Sequence, residues 1–292
     1  KPLDIVILAA GKGTRMKSDL IKVLHEVGGK PVVQWVIDSL LDIGIDSIHC
    51  VVGHQADKIR SAIQHPKVSF IDQTEQLGTG HAVQIAVPSI DQSPESKTLV
   101  LAGDCPLISA ETLTELLQYN PSALATILST HIIPPGSYGR IKRDSNGAVT
   151  GIKEAKDCSD DELTITEINT GAYLFQTGAL IDSLSKIKSN NSQQEYYLTD
   201  TIHILKDEGK TVDAYCTPND HESIGINSRQ DLALVNHHMF TSKRNQLMQD
   251  GVTLIDPTTI YIDPTVTIDT DTIIHPFTTI KGNSSIASGC EI

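Results

Sequence analysis

Cysteine is scarce and scattered in this chain: Cys50, Cys105, Cys158, Cys216 and Cys290 make an odd total with no Cys-x-x-Cys pair. That pattern supports neither a zinc site nor a disulfide framework, and it points to a reducing cytosol. Basic charge is also short. A formal net charge of −13 argues against nucleic acid or an anionic membrane as the main partner, since both need a cationic face. No apolar run reaches the roughly 18 residues of a membrane span. The N-terminus enters a strand pattern at once, without the layout of a signal peptide. What remains is a chain of 292 residues with a hydrophobic fraction of 39%, enough for a real core in one large domain or two.

The few cations are concentrated. Residues 11–30 hold Lys12, Arg15, Lys17, Lys22 and Lys30 against Asp19 and Glu26, a basic island in an acidic protein. It follows the apolar run Ile5-Val6-Ile7-Leu8, which reads as a buried parallel strand, so Ala9, Ala10, Gly11 and Gly13 are delivered to the mouth of a sheet. Open α/β folds bind phosphates there. Gly11 and Gly13 lack the Cβ atoms that would keep backbone N–H groups from a phosphate oxygen, and Arg15 and Lys22 can neutralise charge as a phosphoryl group is displaced. The loop fits neither the Walker nor the dinucleotide template, because no third glycine follows Thr14-Arg15-Met16.

Further along, Val32 to Leu41 repeats at helical spacing behind Pro31. Ser47–Val52, Val68–Ile71 and Thr98–Ala102 read as strands, and Ala56–Ile63 and His81–Val87 as helices. The alternation implies a mostly parallel sheet covered on both faces. From about residue 138 the pattern changes to extended runs around Asn146-Gly147, a hairpin signal, and then Asn169–Phe175; this half is expected to fold over the sheet and close a pocket. Ser228-Arg-Gln-Asp231 forms a capping box for a helix running to about Gln249. Three units follow: residues 1–227, a linker helix at 228–250, and 251–292.

The last unit is a repeat. Ile262, Ile268, Ile274, Ile280, Ile286 and Ile292 fall six residues apart, and Val266, Thr272, Thr278, Ser284 and Cys290 follow the first five at a constant offset. That is the pattern of a left-handed parallel β-helix built from hexapeptides. With three hexapeptides to a coil, only about two coils are expected, so the natural protein is expected to continue or the coils to pack in an oligomer.

Asp104, at the end of a buried strand, suits Mg²⁺ held against phosphate oxygens, because Mg²⁺ takes one or two carboxylates and leaves its other positions to substrate and water. Its alternative role as a helix cap belongs better to Ser109. Gln73-Thr-Glu-Gln-Leu-Gly78-Thr79-Gly80-His81 is a second glycine-bearing loop, whose amides and open backbone suit a nucleobase edge. Gly139, Glu154 and Asn169 offer a bare backbone, a carboxylate and an amide, which suit sugar hydroxyls and an acetamido group. His25, His54 and His81 have no ligand spacing.

Taken in order, Leu8-Ala-Ala-Gly-Lys-Gly-Thr-Arg-Met16 with Lys22-Val-Leu, Gln76-Leu-Gly-Thr-Gly-His-Ala82, Gly103-Asp104, Tyr138-Gly-Arg140, Glu167-Ile-Asn-Thr-Gly171, Glu195-Tyr-Tyr-Leu-Thr-Asp200 and the hexapeptides resemble a known family. It is that of the bacterial bifunctional N-acetylglucosamine-1-phosphate uridyltransferases and glucosamine-1-phosphate acetyltransferases. The resemblance implies a Rossmann-like nucleotidyltransferase domain, a linker helix and a β-helix that carries a homotrimer, in a cytoplasmic enzyme. It implies that UTP and N-acetylglucosamine 1-phosphate give UDP-N-acetylglucosamine, a cell-wall precursor, and pyrophosphate. On the uridine side it implies Ala10, Gln73, Gly78 and Thr79, with Leu8, Ala9 and Gly11 also binding substrate. Arg15 and Lys22 would act on phosphates, Asp104 and Asn227 on Mg²⁺, and Gly139, Glu154 and Asn169 on the sugar. Ile21 stands where the family commonly has proline, and Ala102 where it commonly has an aromatic residue. The acetyltransferase residues of the family lie beyond Ile292, so that activity is not expected here. Two alternatives stay open: a nucleotidyltransferase for another sugar phosphate or NTP, and a non-catalytic regulatory subunit on the same fold.

Overall fold

A computed structural model describes residues 2–191 and 193–292. Its largest element is a sheet whose main path runs Val212–Cys216, Ala125–His131, Glu167–Gln176, Lys97–Ala102, Leu3–Leu8, Ile48–Val52, Val68–Asp72. The last four strands are mutually parallel and rich in Val, Ile and Leu, with Ile5, Val6 and Ile7 fully buried. Strands covered on both faces read as unbroken apolar runs for this reason.

Helices Val32–Asp42, Ala56–Ala62 and Ala110–Gln118 pack on one face through Val36, Leu40, Ile59, Leu113 and Leu116. Helices Thr79–Ala86, Thr177–Leu184 and Thr199–Asp207 cover the other through Val83, Leu180 and Ile202. Ser109 caps its helix, its hydroxyl accepting from the Thr112 N–H at 3.1 Å. That leaves Asp104 free of capping duty.

The second half does not fold over the sheet as expected. Glu167–Gln176 inserts antiparallel between Lys97–Ala102 and Ala125–His131, and Val212–Cys216 adds a parallel edge, so the sheet simply continues. The hairpin Arg140–Arg143 and Val149–Lys153 does form. It joins that sheet through Ile168 opposite Arg140. A bulge between Asn169 and Tyr173 breaks the register there, with Gly171 at φ +85°. Such a bulge re-aims side chains, here toward the end of the sheet where Ala102 stops.

Helix Arg229–Gln249 starts from the capping box: the Ser228 hydroxyl accepts from Asp231 N–H, and the Asp231 carboxylate accepts from Ser228 N–H at 2.8 Å. Beyond it the chain winds into a coil. Thr253–Leu254, Tyr261–Ile262 and Thr267–Ile268 pair in parallel with Ile273–Ile274, Thr279–Ile280 and Ser285–Ile286. Ile262, Val266 and Ile274 are fully buried inside it. The first turn is two residues longer than the second, because the short 3₁₀ turn Pro257–Thr259 is inserted before Tyr261. The ladder thus reaches one step earlier than the isoleucines, to Leu254.

The linker helix is pinned at both ends. Val235 and Met239 join Met16, Val27, Val32 and Ile226 in a buried cluster, and Arg244 donates to the Ile260 carbonyl at 2.9 Å. Gly28, at φ +53°, accommodates this junction: a Cβ there would lie 2.8 Å from Pro264 Cδ.

Candidate active site

Leu3–Leu8 receives parallel neighbours on both sides, and the chain visits one side before the other, so Leu8 and its register partner Ala102 end at a topological switch point. Ligands of open α/β sheets bind in the crevice at such points. A cavity of about 300 Å³ opens there, lined by Leu8, Ala9, Ala10, Gly11, Lys22, Gln73, Gln76, Gly78, Thr79, Ala102, Asp104 and Glu195. A second lobe of about 290 Å³ shares Leu8, Thr79, Ala102 and Glu195 and adds Glu154, Asn169, Gly171, Tyr173 and Thr199. Together they make one cleft with two compartments.

The loop after Leu3–Leu8 has a fixed and a free part. Thr14–Met16 forms a 3₁₀ turn, anchored by Met16, which is 1% exposed and whose carbonyl accepts from Arg229 Nε at 3.2 Å. Arg15 on the same turn is exposed and has no partner among the described residues. It stands outside the lining of both lobes. The two glycines also differ. A Cβ on Gly11 would meet nothing within 4 Å, which suits an open cradle, whereas one on Gly13 would strike Lys22 Cβ at 2.7 Å. Gly13 therefore serves the close passage of the Lys22 stem.

Lys22 is the hub. Its ammonium donates to Asp104 Oδ2 and, at 3.0 Å, to Asn227 Oδ1, although these residues lie 82 and 205 positions away. Ile226 N–H donates to the Asp104 carbonyl at 2.9 Å, which brings Asn227 beside Asp104. The Asn227 amide nitrogen is turned toward the Gly225 carbonyl at 3.3 Å, leaving its oxygen on the Lys22 side. Cys105 Sγ donates to Asp104 Oδ1 at 3.5 Å, and burial, followed by the Asp104 charge, pushes that thiol well above its ordinary range. It stays a proton donor to the carboxylate.

Ile21 occupies the place where proline was the family expectation. Its φ of −60° is the value a proline ring imposes, and at 1% exposure it is held by packing instead. The backbone entering Lys22 therefore keeps its shape. Ala102 lies opposite Gly171, whose missing Cβ would sit 3.9 Å from the Ala102 methyl. Two small residues facing each other leave the lobes continuous.

The second loop carries its glycines for a different reason from the one expected. Cβ atoms at Gly78 and Gly80 would lie 2.5 and 3.0 Å from the Tyr196 carbonyl. Gly80 N–H donates to that carbonyl at 2.8 Å, and Thr79 Oγ1 accepts from Leu198 N–H at 3.1 Å. The glycines let Glu195–Leu198 dock against the loop. Gln73, 3% exposed, uses its amide nitrogen to brace the same loop through the Gly78 carbonyl at 3.2 Å.

In the second lobe Asn169 donates to Tyr173 Oη at 2.6 Å and accepts from Gly171 N–H at 3.1 Å. Gly139 lies behind it, its carbonyl accepting from Asn169 N–H at 2.8 Å, and does not line the cleft. Thr199 Oγ1 donates to Glu154 Oε1 at 3.4 Å, and burial outweighs that bond and raises the Glu154 carboxyl. Glu195, Thr199 and Tyr173 were assigned no role from sequence, whereas Gln76, one of the amides read as suiting a nucleobase edge, does line the first lobe. The stretch Glu195–Asp200 stood out in the sequence as a motif, which was the available signal for Glu195 and Thr199.

Residues 5–144 match the MobA-like NTP transferase domain. Over 289 residues the chain is 46% identical to the bifunctional protein GlmU of Exiguobacterium sibiricum, covering 98% of this chain and 64% of that protein. Nearly the whole chain is thus similar to the first part of GlmU proteins. The GlmU of Enterococcus faecalis is also 46% identical over 98% of the chain, and that of Syntrophomonas wolfei 42% identical over 99%. The chain spans 63% and 65% of those two GlmU proteins, so it corresponds to somewhat under two thirds of their length.

The donor set of Asp104 and Asn227 fits a divalent cation. Both present oxygen, and both aim it at one positive centre. Among the described residues no group of three or more His, Cys, Asp or Glu side chains could hold a metal. A hard cation with two protein oxygens, completed by phosphate and water, matches that composition.

Proposed function

We propose that this chain catalyses uridylyl transfer from UTP to N-acetylglucosamine 1-phosphate, giving UDP-N-acetylglucosamine and pyrophosphate with Mg²⁺ as the divalent cation. The observation that carries the reading is the convergence of Lys22, Asp104 and Asn227 at the switch-point cleft of a GlmU relative. The first lobe takes the uridine through Ala10, Gln73, Gly78 and Thr79. Open backbone at Gly11 receives phosphate oxygens, and Arg15 reaches in from the rim. The second lobe takes the sugar through Glu154 and Asn169, with Gly139 supporting Asn169 from behind.

A phosphate oxygen of the sugar phosphate attacks the α-phosphorus. The bond to the bridging oxygen of the β-phosphate breaks, and pyrophosphate leaves with that electron pair. The chain needs no nucleophile of its own, since two lobes meeting at Leu8 and Ala102 align the reactants and Lys22 offsets the charge that gathers. When bound at Asp104 and Asn227, Mg²⁺ supplies further positive charge to the phosphates.

A non-catalytic subunit has no use for a lysine, a carboxylate and an amide oxygen brought together from three distant segments. Uridine and sugar identity rest on the family. The test is coupled pyrophosphate release with each candidate sugar phosphate and NTP, with and without Mg²⁺. The expected result is strict dependence on UTP, N-acetylglucosamine 1-phosphate and the metal, and a clear preference for another pair overturns the substrate assignment.

Residues 1–227 are proposed as the catalytic unit, 228–250 as the linker and 251–292 as the first coils of a left-handed parallel β-helix. Acetyl transfer is not assigned to these coils. Phe277 is 83% exposed and Ile255 54%, apolar surface that suits contact between coils of a homotrimer. Among the described residues no helix is long and apolar enough to cross a membrane; the cytoplasmic location is proposed from the likeness to GlmU proteins.

A further inference from the structure

We propose that Lys22 is the resident cation of the Asp104–Asn227 oxygen pair, and that it yields this place to a divalent metal only when phosphate draws its ammonium away. This rests on the metal assignment made above. Its consequence is that metal and nucleotide bind as a coupled pair.

The oxygens are held and the ammonium is not. Asp104 is fixed by the Ile226 N–H on its carbonyl and Cys105 Sγ on Oδ1, while Asn227 is fixed by its N–H to Asp231 Oδ2 at 3.0 Å and its amide to Gly225. Lys22 reaches them on a flexible four-carbon stem that starts beneath Gly13, so a change of rotamer moves the charge without moving the backbone. The Lys22 and Asp104 side chains are 15% and 16% exposed, which limits how far water can screen one cation from another at this point. The two oxygens cannot serve an ammonium and a divalent ion at once. The open backbone at Gly11 lines the same cavity as Lys22, so phosphate bound there offers the ammonium a second anionic partner. Occupancy by one cation then depends on where the other goes, and linkage makes the effect reciprocal.

The test is Mn²⁺ binding to the whole chain, read by the loss of the free-ion electron paramagnetic resonance signal, with and without UTP, the loss caused by UTP in the absence of protein being subtracted from each UTP arm. Wild type should bind Mn²⁺ weakly alone and about 10-fold or more tightly with UTP. Lys22→Met should bind Mn²⁺ alone about 10-fold or more tightly than wild type and lose most of the UTP effect. Lys22→Arg keeps the charge and should stay weak; Lys22→Gln, uncharged but polar, replaces Lys22→Met if that variant does not fold. Asp104→Asn placed on the Lys22 variant should abolish the gain, locating the metal. If the uncharged Lys22 variant binds Mn²⁺ no better than wild type, the exchange is wrong. If Asp104→Asn leaves Mn²⁺ binding with UTP intact, the metal assignment itself fails.

Discussion

The cleft and the coil solve opposite problems. In the coil each buried position is supplied by its own hexapeptide, and the partner of Ile262 is Ile280, one coil later. In the cleft the contacts that matter join residues 82 and 205 positions apart, and each depends on a different loop. The coil is therefore local and repetitive, with chemistry that is only packing. The cleft is a single non-repeating assembly whose stability comes from the sheet beneath it, so its polar residues are free to serve a reaction.

That contrast can be broken first at its polar centre. Asp104→Ala should lower pyrophosphate release by on the order of 10²–10³-fold, while the thermal transition of the sheet domain hardly moves. A turnover close to wild type would remove Asp104 from the metal position. The mirror experiment is Ile262→Ala in the coil. Deleting a fully buried side chain should cost about 3 kcal/mol in the coil transition, with KM and kcat in the cleft within about twofold of wild type. A large kcat loss would show that the junction at Gly28 and Pro264 couples the two regions.

A smaller effect sharpens the comparison within the sheet. Arg143 holds Glu167 through two bonds of 2.7 and 2.6 Å, and Ser129 adds a third at 2.7 Å. Burial acts against them, yet the bonds win and the Glu167 carboxyl lies below its ordinary range. The folded state thus binds its proton less readily than the unfolded chain. The stabilisation is present above the ordinary carboxylate range and is lost as pH falls from that range through the lowered value. Arg143→Met should cost about 2 kcal/mol near neutral pH and much less in acid, measured by urea unfolding.

Glu154 should behave in the opposite sense and with the smallest effect. Its carboxyl is raised, chiefly by burial, so the folded state keeps the proton longer than the unfolded chain. Its contribution falls as pH rises from the ordinary carboxylate range through the raised value, and stays lost above it. Glu154→Gln should flatten that part of the stability curve and raise KM for the sugar phosphate, leaving KM for UTP unchanged.

Legibility followed the same divide. The isoleucine ladder and the Ser228 capping box were readable because their geometry repeats or closes within a few residues. The parallel strands were readable as apolar runs, and Leu8 and Asp104 fell at or just beyond their ends, where open sheets bind ligands. Strands Ala125–His131 and Val212–Cys216 were missed. They lie beyond Glu167–Gln176, on the side away from the parallel strands, and nothing local marks that strand's antiparallel insertion. The reasons for Gly13, Gly78 and Gly80 were likewise hidden, since each answers a contact outside its own turn, with Lys22 for Gly13 and with the distant Tyr196 for the other two. Asn227 was reachable only through family resemblance, as an asparagine ahead of a helix cap carries no chemical signal of its own.

The most direct test of the account is coupled pyrophosphate release from UTP and N-acetylglucosamine 1-phosphate by this chain, with Mg²⁺ and then with excess chelator. The expected result is steady release that stops on chelation and returns when Mg²⁺ is restored. Release that continues unchanged in chelator, or that is absent with these substrates and present with another sugar phosphate, would contradict it.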